Sequence, residues 1–384
     1  MFSQVATAAA DVLIGKIRNS KVVSPIELPS RYENITPKWL TEILCKSVPG
    51  AEVVAYRLDE DDPGTSNRRR VFVEYNQQGK NADLPGSIFC KATMGFVNRI
   101  ALGLTRGIHN EVIFFNQMRP DLNIETPRSL FASYDPKTLN SFIALEDLGD
   151  EVEFCLPSTY IDRSRAESLV DVLARLHGHY YENENLDKIR GEMKTWRDYF
   201  YNNARNLNLE KYTDKGFGAA QSVIPAGLFR RREEVWAATL KSVDLHQSLP
   251  NTFIHSDVHI KNWYLTANET MGITDWQCCC IGHWSRDFAY AVSTCLTIED
   301  RRAWEKDLLN RYLDTLHAAG GQRVSFDDAW NHYRQQLFTA LAWWTITFAP
   351  PWYMPDMQPG EVSIELIHRI STAMDDLDSL ASFS

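Results

Sequence analysis

The run His255-Ser256-Asp257-Val258-His259-Ile260-Lys261-Asn262 sets an aspartate two residues after a histidine and an asparagine five further on. A second aspartate, Asp275, follows in Ile273-Thr274-Asp275-Trp276. Carboxylate, amide and second carboxylate in that order suit phosphoryl transfer from a nucleotide. One carboxylate orients an attacking hydroxyl and takes its proton late, because an alcohol's pKa is too high for prior deprotonation. The amide oxygen and the other carboxylate are hard donors for magnesium, which commonly takes one or two protein ligands beside phosphate and water. Asp257 is therefore the candidate base, and Asn262 and Asp275 are the candidate metal ligands. An aspartate in a loop also caps turns, but the spacing to Asn262 and Asp275 weighs toward chemistry. No Cys/His grouping has the spacing of a zinc site.

The elements that must position these groups follow from periodicity. Residues 252–275 read as strand, loop and strand, with Asp257 on the loop. Upstream, alternation predicts strands over 51–58, 71–75, 87–92, 129–133 and 142–146, with a helix over 107–118. Helices then dominate, over 163–182, 193–206, 230–244, 285–297, 298–320, 326–348 and 362–380. Residues 1–48 read as helical, with Thr36 as N-cap and Pro37 at the first helical position. Lys91 is a lone charge in the apolar strand Phe89-Cys90-Lys91-Ala92, and strand interiors rarely bury a lysine without a partner. Glu111, twenty residues on and early in the next helix, is a suitable partner. Together they would fix a positive charge for nucleotide phosphates; separately, each would face solvent.

The pattern HxDxxxxN followed by an aspartate on a strand resembles the aminoglycoside phosphotransferase and choline kinase superfamily, which shares its fold with protein kinases. Thr36-Pro37-Lys38-Trp39-Leu40 resembles the first helix of its ecdysteroid kinase-like branch. Leu145-Glu146-Asp147-Leu148 resembles that branch's hinge, and Leu173-Ala174-Arg175-Leu176-His177 its L-A-x-L-H helix. The resemblance implies an α+β, bilobal, protein kinase-like fold. A small antiparallel sheet with one main helix forms the N-lobe, and the larger C-lobe is mostly helical. The implied division is a helical extension over 1–48, a nucleotide-binding lobe over 49–148 and a catalytic and acceptor-binding lobe over 149–384.

The same resemblance implies ATP and Mg2+ as cofactors and a small-molecule hydroxyl as acceptor. Glu146, Asp147 and Leu148 would be the hinge, where adenine bonds the main chain; a plain linker would follow the same path. Gly64, Thr65, Ser66 and Asn67 lie where such proteins cover the phosphates. This turn has one glycine rather than a G-x-G-x-x-G loop, though main-chain N–H groups hold anionic oxygen in either. His259 falls where the superfamily frequently carries histidine, facing the transferred phosphate in one reading and packing in the other. His255 would brace the loop. Asp287, in Gly282-x4-Asp287-Phe288-Ala289, resembles a second brace.

The bulk properties bound the answer. A chain of 384 residues can fill two lobes, and 44% hydrophobic with 23% charged residues is the composition of a soluble globular protein. A net charge of −10 argues against nucleic acid or an anionic membrane as main partner. Seven cysteines without paired spacing read as free thiols in a reducing compartment. Residues 5–17 lack a basic n-region and contain Asp11, so an amphipathic helix is expected rather than a signal peptide. The apolar run 337–354 meets Pro350, Pro351 and Pro355 after roughly thirteen helical residues, short of a membrane span. A cytoplasmic protein with no obligate protein partner is expected.

Trp343, Trp344, Trp352 and Tyr353 read first as core, with a pocket for a lipophilic or sterol-like alcohol as the alternative. Asp150, Glu151 and Glu153 form a solvated acidic turn or a seat for a cationic amine. A small-molecule kinase is the leading expectation. An aminoglycoside kinase and a catalytically silent binding module of the same fold are its rivals.

Overall fold

The structure is a computed structural model that describes residues 2–18, 21–63, 66–352, 354 and 357–383. The chain divides into two compact units, Met1–Leu122 with Pro127–Glu151, and Asn123–Thr126 with Val152–Ser384. The architecture is α+β, with antiparallel sheets.

In chain order the first unit contains α1 (Phe2–Arg18), α2 (Pro37–Leu44), β1 (Val53–Leu58), β2 (Asp62–Pro63) and β3 (Asn67–Tyr75). It continues with α3 (Gln77–Asn81), β4 (Ser87–Ala92), α4 (Phe96–Thr105), α5 (Gly107–Ile113), β5 (Ser129–Asp135) and β6 (Asn140–Glu146). The strands form one sheet in the order β1-β3-β4-β6-β5, with β2 paired to β3. The Thr36 hydroxyl caps α2 by accepting the Trp39 N–H at 3.1 Å. That helix drives Trp39, Leu40, Ile43 and Leu44 into one core with Val71, Val73, Ile88, Cys90 and Phe142. Trp39 meets Phe142 edge-on at 5.0 Å, and its indole N–H reaches the Glu27 carbonyl at 3.1 Å.

Three expectations are corrected here. Among the described residues 21–36 only the short turn Tyr32–Asn34 is helical, so the helical reading of 1–48 holds for α1 and α2 alone. The helix expected over 107–118 is regular only to Ile113 and then widens into a π-turn, Phe114–Met118. A separate helix, α4, precedes it, broken from it at Arg106 with φ +63°. Finally, Asn67–Arg70 is strand rather than connection, because β4 pairs along it: Asn67 faces Ala92 and Arg70 faces Phe89.

The second unit contains β7 (Val152–Phe154), α6 (Arg163–His179), α7 (Glu184–Ile189), α8 (Trp196–Leu207), α9 (Leu209–Ala219), α10 (Ala226–Arg230) and α11 (Arg232–Asp244). It continues with β8 (Thr252–Ile254), β9 (Trp263–Thr266), β10 (Met271–Ile273), β11 (Cys280–Gly282), α12 (Ser285–Cys295), α13 (Ile298–Ala318), α14 (Phe326–Phe348) and α15 (Gly360–Asp376). The short strands pair as β10-β9-β7 and β11-β8. Every residue of α12 is buried. The seven cysteines are free thiols, six buried and Cys278 half-buried. Among the described residues no helix is long and apolar enough to cross a membrane. Tyr353 and Pro355 lie outside those residues.

Three histidines gather beside the start of α12. His246 Nδ1 accepts the His283 N–H at 2.9 Å, its Nε2 lies 3.0 Å from Gln336 Oε1, and the His332 ring sits 5.0 Å from that of His283. Burial lowers all three pKa values; His246 falls to about 4. A histidine held neutral in the fold but free to charge when unfolded stabilises the protein above pH ~6.5. That contribution shrinks as pH falls toward 4. His246 alone should therefore cost roughly 2 kcal/mol of stability at pH 5. Urea midpoints at pH 7.5 and 5.0 check this, and His246→Gln should flatten the difference.

Candidate active site

In the second unit the loop 255–262 is organised by one carboxylate. Asp287, in the first turn of α12, accepts the His255 N–H at 2.7 Å and the Ser256 N–H at 2.8 Å, one on each oxygen. His177 Nε2 adds a contact at 3.2 Å, and the Tyr312 hydroxyl lies 2.7 Å from the other nitrogen of that ring. Burial pushes the Asp287 carboxyl up. The His177 hydrogen bond, with the Arg286 charge beside it, outweighs this and holds the group below the usual carboxylate range.

Ser256 has φ +62°, a region that costs a non-glycine residue about 1–2 kcal/mol. All of its polar groups are tied down. The N–H goes to Asp287, the carbonyl accepts from Arg286 Nη2 at 3.2 Å, and the hydroxyl donates to the Cys278 carbonyl at 2.7 Å. Such over-determination keeps a strained residue in place, and it fixes the chain path into Asp257.

His255 acts as a brace. Its Nε2 donates to the Thr274 carbonyl at 3.0 Å, while Nδ1 accepts the Asp257 N–H at 3.2 Å. Burial lowers its pKa, so it stays neutral in this tautomer. The Thr274 N–H in turn donates to the Asn262 carbonyl at 2.8 Å. Thr274 thus joins both arms of the motif, and Asp275 is the next residue, itself at φ +66°, which aspartate tolerates.

Asn262 Nδ2 donates to the Asp257 carbonyl at 2.7 Å and lies 3.3 Å from its Oδ2. With its nitrogen engaged, the amide oxygen is the atom left for a cation. Asp257 Oδ1 lies 3.3 Å from the Tyr290 hydroxyl and 3.7 Å from His259 Nε2. His259 is buried edge-on to Trp344 at 5.3 Å, and desolvation lowers its pKa although Asp257 opposes this. Its Nδ1 has no hydrogen-bond partner among the described residues. Those residues contain no cluster of three or more His, Cys, Asp or Glu side chains able to hold a metal. The oxygens of Asn262 and Asp275 fit a hard cation that completes its shell with phosphate and water.

The first unit holds the remaining candidates. Lys91 lies on the central strand β4, opposite Arg68 on one side and Ile143 on the other. Its Nζ is 2.5 Å from Glu111 Oε1, and the two side chains are 8% and 3% exposed. Gly64 and Thr65 lie outside the described residues. Ser66 is buried, and Asn67 Oδ1 accepts the Met94 N–H at 3.0 Å at the start of β3. Glu146 accepts the Arg128 N–H and Nε–H at 2.7 and 2.8 Å. Asp147 pairs with Arg70 at 2.7 Å and accepts the Gly149 N–H at 3.1 Å. With both carboxylates engaged, a ligand at 146–148 would meet main chain, Leu148 included.

Other expected positions separate. Trp343 packs half-buried on Tyr199 and Phe200, Trp344 is buried on His259, and Trp352 is 92% exposed. Asp150, Glu151 and Glu153 are exposed.

Sequence reasoning missed a strap over β10. Glu125 and Thr126 run beside it: the Glu125 carbonyl accepts the Ile273 N–H at 3.0 Å. The Thr126 hydroxyl donates to the Ile273 carbonyl at 2.6 Å and accepts the Trp276 indole N–H at 2.9 Å. The one available signal was Pro127, which biases Thr126 toward extended backbone.

Because Asp287 is fully buried with three donors, Asp287→Asn should destabilise the protein by about 3–5 kcal/mol. A urea unfolding series against the parent checks the value.

No curated protein sequence matches the chain. Among solved structures it is similar to choline kinase from Cryptosporidium parvum Iowa II, at 12% identity over 88% of this chain and 96% of that one, with a TM-score of 0.49. It is also similar to Plasmodium vivax ethanolamine kinase (9% identity, 85% and 83% covered, TM-score 0.48). A spectinomycin phosphotransferase in complex with ADP and spectinomycin is a third (15% identity, 88% and 98% covered, TM-score 0.44). The profile of the phosphotransferase enzyme family (APH) matches residues 96–324. That span is more than half of the chain and holds Glu111, the loop 255–262, Asp275 and Asp287, so the protein belongs to the phosphotransferase enzyme family.

Proposed function

We propose that the protein is an ATP- and magnesium-dependent O-phosphotransferase of the ecdysteroid kinase-like branch, acting in the cytoplasm on a hydroxyl of a small molecule. One observation carries this reading. Asp257 and Asn262 are hydrogen-bonded to each other, and Thr274 ties both Asn262 and His255 to the residue preceding Asp275. Base and metal-ligand candidates are thereby held in one rigid group, which phosphoryl transfer needs more than it needs reactive side chains.

In this reading Asp257 orients the acceptor hydroxyl and accepts its proton as the new bond forms. Asn262 and Asp275 hold magnesium, which supplies neutralisation of the charge on the transferred phosphoryl group. Residues 49–148 would provide the nucleotide contacts: Lys91, steadied by Glu111, for the α and β phosphates, with residues 64–67 also assigned to the phosphates and residues 146–148 to the base.

The surroundings of Asp257 support an apolar alcohol, sterol-like compounds among them. Tyr290, His259 and, through His259, Trp344 adjoin it. ADP release with Mg-ATP across sterols, terpenoid alcohols, choline-like amines and aminoglycosides tests the reading. Activity confined to aminoglycosides would overturn the acceptor class, and failure to bind Mg-ATP would leave a silent binding module.

Asp257→Ala should lower kcat by about 10²–10⁴-fold with Mg-ATP binding nearly intact, as read by steady-state kinetics beside calorimetry. Asp275→Ala should instead weaken nucleotide binding in magnesium and leave magnesium-free binding unchanged. Equal affinity in both variants would reject the ligand assignment.

A further inference from the structure

The hydroxyl of Tyr290 has a partner that packing alone does not require. Tyr290 sits on α12, buried along its whole length, and a phenylalanine ring would fill the same space. One face of this helix meets three consecutive residues of the loop. Asp287 takes the N–H groups of His255 and Ser256, Arg286 Nη2 donates to the Ser256 carbonyl, and the Tyr290 hydroxyl reaches Asp257 Oδ1. Positions 286, 287 and 290 are three and four apart, so they share that face.

The Arg286 guanidinium is fully buried between two rings, 4.6 Å from Trp196 and 4.5 Å from Tyr290. It therefore locks the Tyr290 ring as well as the Ser256 carbonyl. Burial, reinforced by the charge of Asp257, holds the Tyr290 phenol well above its ordinary pKa, so it remains a donor at any working pH. Its contact with Oδ1 is long at 3.3 Å, as catalytic hydrogen bonds often are before substrate arrives.

We infer that Tyr290 is a positioning residue for Asp257: its hydroxyl on Oδ1, opposite the Asn262 amide on Oδ2, sets the plane of the carboxylate that receives the acceptor hydroxyl. The inference rests on the kinase reading above. One donor on each oxygen restrains rotation of the carboxylate while leaving each oxygen acceptor capacity for the incoming hydroxyl. His259 Nε2, at 3.7 Å, is beyond hydrogen-bond distance and does not share this task.

The test is Tyr290→Phe, which keeps the ring on Arg286 and removes only the hydroxyl. It is assayed with Mg-ATP and the best acceptor of the panel named above, beside the parent, Asp257→Ala and the double variant. Melting curves confirm that each variant folds. The expected result is a kcat about tenfold lower, KM for Mg-ATP and for acceptor unchanged, and no further loss when Tyr290→Phe is added to Asp257→Ala. A parental kcat in Tyr290→Phe, or a raised acceptor KM at parental kcat, overturns the inference while Asp257→Ala remains impaired and the kinase reading stands. A parent protein that turns over none of the acceptors removes both.

Discussion

Asp287 is a fully buried carboxylate whose charge is satisfied by two main-chain N–H groups and a histidine, and the loop that carries Asp257 hangs from it. An ionised group so placed is tolerated only when its hydrogen bonds are complete. The dependence runs both ways. Helix α12 needs the loop amides to keep its carboxylate charged, and the loop needs the carboxylate to keep Ser256 in a left-handed conformation. Arg286, the neighbouring residue, closes the same turn from the carbonyl side. Loop geometry is thus set by a rigid helix rather than by the loop's own short-range preferences, an arrangement suited to the catalytic role proposed for Asp257.

The pair in the first unit shows a different economy. Lys91 and Glu111 are both almost inaccessible, and a buried ion pair commonly contributes no more stability than two apolar side chains of the same volume. The sheet does not need a lysine on its central strand to fold. A lysine held there by Glu111 is consistent with the phosphate-binding role proposed above.

Much of the architecture was legible because its signals are local. Strand β4 and helix α14 have the limits that alternation and helical periodicity assigned, the latter with the Ser325 hydroxyl as its cap. The motif residues could be ranked as a group because their spacing is itself local. What escaped depends on distant partners. Asn67–Arg70 is polar and reads as connection, yet β4 recruits it as strand. Thr126 lies 147 residues from the carbonyl it clamps, and Tyr290 lies 33 from the carboxylate it touches. Neither has a neighbour in sequence that marks it. The aromatic segment near residue 344 was ambiguous for the same reason: adjacent tryptophans part company, Trp343 half-buried against Phe200 and Trp344 buried onto His259, and only the packing of α14 decides which is which.

The groups around Asp257 also bear on what it can act upon. His255 and His259 are held neutral by burial, and Cys278, half-buried nearby, is kept protonated by desolvation first and by Asp257 second. Among the side chains that touch the Asp257 carboxylate, Tyr290, Asn262 and His259 carry no charge. A neutral, aromatic lining makes the field of Asp257 and Asp275 less screened than it would be in water. Tyr290, Asn262 and His259 add no carboxylate that could offset the desolvation of several ammonium groups. An acceptor bearing one hydroxyl on an apolar frame loses little on entering such a lining, whereas a polycation would shed a hydration shell for two carboxylates that the proposed reaction would already employ. On the reading proposed above, these side chains would favour an uncharged alcohol over a polycation.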